Sequence, residues 1–155
     1  MAEVAIVLGS KSDLAHAEKA HAALARLGIT STVQVASAHR NPERLDAIIR
    51  DSDARIFIAM AGMAAALPGV IASRTTRPVI GVPLSGGVAM DSLLSIVQMP
   101  RGVPVATVAV DGAENAALLA AEILALSNPK VETELARYRQ AWKEEPAEAP
   151  KHEGH

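Results

Sequence analysis

Short, almost unbroken apolar runs alternate along this chain with stretches in which apolar residues return every three or four positions. The runs Val4–Leu8, Ser31–Ala36, Arg55–Ala59, Pro78–Val82 and Val103–Val108 are rich in β-branched residues, and their length and continuity predict strands covered on both faces. Between the first two, Leu14, Ala17, Leu24 and Leu27 recur at helical spacing, with Ser12 as the expected cap and Gly28 as the stop. Asn41 and Pro42 open a second helix that buries Leu45, Ile48 and Ile49. Further helices are predicted from Ala64 to Ser73, from Asp91 to Val97 and from Glu114 to Leu126. Asn128-Pro129 starts a terminal helix reaching Lys143, whose Leu135, Tyr138 and Trp142 need a surface to cover. A neighbouring subunit is expected to supply it.

Strands and helices that alternate in this way define an α/β protein built on an open parallel sheet with right-handed crossovers. One domain is expected over residues 1–143. Residues 144–155 mix Glu, Pro, Ala, Gly and His without any period and read as a disordered tail.

Composition narrows the picture. Only Phe57, Tyr138 and Trp142 are aromatic among 155 residues, so the core must be made of Ala, Val, Ile and Leu. A mean hydropathy of +0.20 is high for a domain of this size and points to apolar central strands together with subunit contacts. With a net charge of −2 and no basic stripe, the chain is not expected to bind nucleic acid. It contains no cysteine, which excludes disulfides, thiolate catalysis and zinc–thiolate sites and fits a reducing compartment. The first residues enter a strand without a signal-like segment, and no apolar run has the length of a membrane span. Cytoplasm is the expected setting.

The candidate chemistry lies at predicted strand ends, where open α/β sheets bind their ligands. Ser37-Ala38-His39-Arg40 follows the second strand. An imidazole there can give and take protons near neutral pH, and the guanidinium beside it can grip a phosphate or carboxylate. Gly9-Ser10-Lys11-Ser12-Asp13 follows the first strand; its hydroxyls and free helix N–H groups suit a phosphate, and equally suit a plain capped turn. Ala61 to Gly69 is a stretch of small residues open either to a ligand or to a tight subunit contact. The loops Pro83–Gly87 and Gln98–Gly102 offer backbone amides as a wall. His16 and His21, five residues apart on one helix, point to different sides, which argues against a metal pair. Neither a metal nor an organic cofactor is expected. From the residues alone, the reading is a phosphorylated small metabolite undergoing proton transfer.

Several blocks then coincide with one family. The stretches from Val7 to Asp13, Ser37 to Pro42, Ala66 to Val70, Asp91 to Gly102 and Glu114 to Ala121 closely resemble PurE, the N5-carboxyaminoimidazole ribonucleotide mutases and related aminoimidazole ribonucleotide carboxylases of purine biosynthesis. The resemblance implies a three-layer flavodoxin-like fold with strand order 2-1-3-4-5, a homo-octamer and a reaction without ATP, metal or cofactor. It implies substrate binding by Ser10, Asp13, Ser37 and Arg40 and proton transfer by His39. Many mutases carry a second histidine just before Leu-Pro-Gly, preceded by a glycine pair, where this chain has Ala66 and Gly62-Met63; the carboxylases also lack that histidine but typically show Arg-Ser where it has Met63-Ala64. Ser85-Gly86-Gly87 and Gln98-Met99-Pro100-Arg101 look mutase-like, which favours the mutase over a carboxylase that uses carbon dioxide directly. A non-catalytic nucleotide-binding module on the same scaffold is the rival reading. A flavodoxin-type electron carrier is disfavoured by the shortage of aromatic residues.

Overall fold

All five expected strands form, and all are parallel, in a computed structural model that describes residues 1–144. The strands are β1 (Val4–Leu8), β2 (Ser31–Val35), β3 (Ile56–Ala61), β4 (Val79–Pro83) and β5 (Ala106–Thr107). They lie in the order β2-β1-β3-β4-β5, with Ile6 opposite Val33 on one side and Ile58 on the other. The helices are α1 (Leu14–Arg26), α2 (Pro42–Asp51), α3 (Leu67–Ala72), α4 (Ala89–Val97), α5 (Ala113–Ala125) and α6 (Pro129–Glu144). The part of the expected tail from 145 onward lies outside the described residues.

Alternation along the strands divides the core into two layers. Val4, Ile6, Leu8, Ile56, Ile58, Met60, Ile80 and Val82 face α1, α5 and α6. Ala5, Val7, Phe57, Ala59 and Val79 face the other way, against residues of α2, α3 and α4. Every residue of β1, β3 and β4 is buried, as the continuous apolar runs require. Each Ile or Leu so enclosed contributes about 1.5–3 kcal/mol relative to exposure. Alanines set the fit between helices: Ala17, Ala20 and Ala23 of α1 and Ala113, Ala116, Ala117, Ala120 and Ala121 of α5 join one cluster, and side chains this short let helix axes come close.

The edges depart from the expectation of strands covered on both faces. β2 is nowhere fully buried, and β5 shrinks to two residues, because Pro104 has no N–H to give and only β4 lies alongside. The third helix begins at Leu67 rather than Ala64, since Met63 and Ala65 take positive φ angles of 53° and 25° that no right-handed helix contains. Ser10, not Ser12, caps the entry to α1: its hydroxyl accepts the Ser12 N–H across a one-turn 3₁₀ segment, Lys11–Asp13. The terminal helix finds much of its surface within the chain, with Val131 and Leu135 buried and Tyr138 packed against the α1–α5 layer, while Trp142 stays exposed.

Candidate active site

Four loops that leave the carboxyl ends of β1, β2, β3 and β4 line a single cavity of about 640 Å³. It sits beside β1 and β3, where the chain changes winding direction, the place at which this sheet order leaves a crevice. Gly9, Ser10 and Asp13 come from the first loop, Ser37, Ala38 and His39 from the second, and Leu84, Gly86 and Gly87 from the fourth. The third loop, Ala61 to Leu67, supplies only small or apolar groups and so offers a flat wall. Another cavity, about 530 Å³, lies between the end of α1 and the start of α6, at the opposite edge from these loops.

Local sequence explains how each group is held. Ser10 Oγ accepts hydrogen bonds from the N–H and the hydroxyl of Ser12, at 3.3 and 3.0 Å, which fixes the turn before α1. The histidine loop is a tight turn closed on itself: the Ser37 N–H donates to Asn41 Oδ1 at 2.7 Å, and the Arg40 N–H donates to Ser37 Oγ at 3.2 Å. Asn41 therefore spends its side chain on the loop and does not cap α2 with it. The turn leaves His39 exposed at the cavity rim. Arg40 is exposed and does not line the cavity; its Nη2 donates to the Gly9 carbonyl at 3.2 Å, tying the first loop to the second.

The fourth loop is held from two directions. Ser92, the buried polar residue of α4, donates its hydroxyl to the Leu84 carbonyl at 2.8 Å. The Ser85 N–H donates to Asp111 Oδ1 at 2.9 Å, while the Asp111 N–H donates to the Pro83 carbonyl at 2.8 Å. Asp111 itself has a φ of 59°, a left-handed conformation that aspartate tolerates better than most residues. Hydrogen bonding from Ser85 holds the Asp111 carboxyl below the usual carboxylate range against the opposing effect of burial, with the Ser85 backbone N–H and then the charges of His16 and Lys19 adding to the lowering.

Ser10, Asp13, Ser37 and His39 are thus brought together by the fold, whereas Arg40 stays outside the lining and reaches only the Gly9 carbonyl of the first loop. His16 also lines the cavity, which the spacing argument about a metal pair passed over. The available signal was its position three residues after Asp13, on the same side of the first helical turn. His21 turns away, with Nδ1 2.7 Å from Ser31 Oγ. Among the described residues no cluster of three His, Asp or Glu side chains is arranged to hold a metal ion.

An open parallel sheet with a cavity of polar loops at its switch point defines the class: a three-layer α/β protein with its crevice at the strand ends. Residues 3–145 match the family model described as AIR carboxylase, and the chain belongs to that family. It is 52% identical to the N5-carboxyaminoimidazole ribonucleotide mutase of Methanocaldococcus jannaschii over 90% of both chains. It is 46% identical to the protein of that name from Escherichia coli K12, covering 96% of this chain and 92% of the other. The crystal structure of Treponema denticola PurE superposes with a TM-score of 0.84 at 30% identity, over 90% of each chain.

Proposed function

We propose that this chain is an N5-carboxyaminoimidazole ribonucleotide mutase, moving a carboxylate from the exocyclic nitrogen of the substrate to its ring carbon. The single observation that carries the reading is the convergence of His39 with Ser10, Asp13 and Ser37 on one cavity at the strand ends, in a chain that matches the family almost throughout. The Ser10 turn, joined by Arg40, would hold the 5′-phosphate, and Asp13 would take ribose hydroxyls. Breaking the nitrogen–carboxyl bond releases carbon dioxide and leaves its electron pair on nitrogen, which takes a proton from the His39 imidazolium. The electron-rich ring carbon then attacks the carbon dioxide. Neutral His39 removes the proton from that carbon, so the ring recovers its aromaticity and the imidazolium is restored. Protons balance over the cycle, with no net oxidation. The small-residue wall would keep carbon dioxide beside the ring, so recapture becomes an intramolecular step.

The test is direct. Purified protein given the carbamate substrate, without ATP or added bicarbonate, is expected to form 4-carboxyaminoimidazole ribonucleotide. Product formed only from aminoimidazole ribonucleotide plus bicarbonate would identify the carboxylase instead. Tight nucleotide binding with no product in either assay would identify a binding module.

The same reading includes a cytoplasmic homo-octamer. Its support is the apolar surface that one chain leaves uncovered along and beside α4, where Val88, Met90, Leu94 and Val97 are each about half exposed. Sedimentation at micromolar concentration is expected to give eight times the mass of the chain; a monomer would reject the assembly.

A further inference from the structure

The fourth loop reaches the cavity with little to hold it. Leu84 is bound on both sides: its N–H donates to the Ala61 carbonyl at 3.0 Å, and its carbonyl accepts the Ser92 hydroxyl at 2.8 Å. Beyond it, Gly86 and Gly87 line the cavity, and among the described residues no protein group accepts from either N–H. Gly86 has a φ of 42°, and a β-carbon built on either glycine would meet nothing within 4 Å, so no neighbour packs against that side of the backbone. The one tie between Leu84 and these glycines is the Ser85 N–H, which donates to Asp111 Oδ1 at 2.9 Å.

Asp111 is placed to act as the anchor. Its own N–H donates to the Pro83 carbonyl at 2.8 Å, so one residue grips the loop on both sides of Leu84. It stands third in the turn 109–112, which the Gly112 N–H closes on the Ala109 carbonyl at 2.9 Å. A positive φ at that place favours glycine, asparagine or aspartate, and of these glycine has no side-chain acceptor. The turn is tight: a β-carbon on Gly112 would lie 2.8 Å from the Ala109 carbonyl oxygen. It leads straight into α5, whose Ala113, Ala116 and Ala117 are buried, so the anchor rests on the core. We propose that Asp111 is a positioning residue for substrate binding, its carboxylate holding Ser85, Gly86 and Gly87 in place as one wall of the cavity. This deepens the mutase reading and rests on it. Without the tie the loop samples other positions, and apparent affinity falls with the fraction still in place.

Two variants separate the hydrogen bond from the charge. Asp111→Gly removes the acceptor and suits the positive φ. Asp111→Asn keeps an acceptor oxygen but removes the charge that stands 4.0 Å from His16 Nε2. For Asp111→Gly we expect the Ser85 amide of the free protein to exchange its hydrogen about tenfold faster, as for a lost hydrogen bond to a charged group. KM for the carbamate, and Kd for 4-carboxyaminoimidazole ribonucleotide by calorimetry, should rise about three- to tenfold. Turnover should stay within about twofold, because the bonds that fix the first two loops do not involve Asp111. Asp111→Asn should match the wild type within about twofold in every measurement. Unchanged exchange at Ser85, or faster exchange with KM and Kd unaltered, would overturn the role of Asp111 and leave the mutase reading standing. So would an Asp111→Asn variant as impaired as Asp111→Gly, since the charge near His16 would then be at work. A joint collapse of kcat, KM and Tm in Asp111→Gly would mark a residue that only supports the fold, and would overturn the role as well. A wild-type protein that neither turned over the carbamate nor bound the nucleotide would overturn both readings.

Discussion

Replacement of His39 by asparagine is expected to lower turnover of the carbamate by about 10²–10⁴-fold, the usual worth of a positioned general acid–base group. Asparagine keeps a hydrogen-bonding side chain of similar reach but cannot exchange protons near neutral pH. The two proton transfers of the cycle, onto nitrogen and off carbon, would then fall to water. Nucleotide affinity should change little, because the groups proposed to bind phosphate and ribose lie on the first loop and on Arg40. The fold should also survive: His39 is exposed and the turn is closed by Ser37, Arg40 and Asn41 instead. Exposed substitutions of this kind usually stay within about 0.5 kcal/mol. Steady-state kinetics with a parallel thermal melt would decide the matter. Turnover within about twofold of wild type would remove His39 from the chemistry.

The prediction rests on features that were readable to very different degrees. β1, β3 and β4 could be placed almost to the residue, because strands buried on both faces leave continuous apolar runs with turn residues at each end. β5 could not, since pairing depends on neighbours and an apolar run around Pro104 has few N–H groups to offer a sheet edge. The four cavity-lining loops were legible as strand-end loops. Their convergence was not, because it depends on sheet order, which came from the family resemblance rather than from hydrophobic period. His16 was missed for a related reason. A helix pattern gives the angle between His16 and His21 but not what lies opposite either of them, and Asp111 is 95 residues further along the chain. Asn41 shows the limit of local rules. It has the sequence of a helix cap, yet its carbonyl oxygen takes the Ser37 N–H because the histidine turn brings that donor within 2.7 Å.

The largest effect on stability is expected at Gly81, in the middle of β4. A β-carbon built there would lie 2.5 Å from Ile96 Cγ2, 3.0 Å from Val105 Cγ1 and 3.4 Å from Pro68 Cβ. The closest of these belongs to a β-branched residue that is fully buried in α4, where its χ1 angle has one strongly preferred value. Ile96 cannot swing aside, so Gly81→Ala must push α4 away from the sheet. Overpacking of this kind costs about 1–3 kcal/mol. For a chain of this length that lowers Tm by roughly 2–12 °C, compared at equal protein concentration. Because α4 also carries Ser92, whose hydroxyl holds the Leu84 carbonyl beside the cavity, KM should rise together with the fall in Tm. Adding Ile96→Leu removes the offending methyl from the β-carbon and keeps the volume, so the double variant should melt above Gly81→Ala alone, as expected for residues in direct contact. If Gly81→Ala melts with the wild type, α4 does not press on β4 at this glycine, and the contact that links the sheet to the fourth loop is looser than the packing requires.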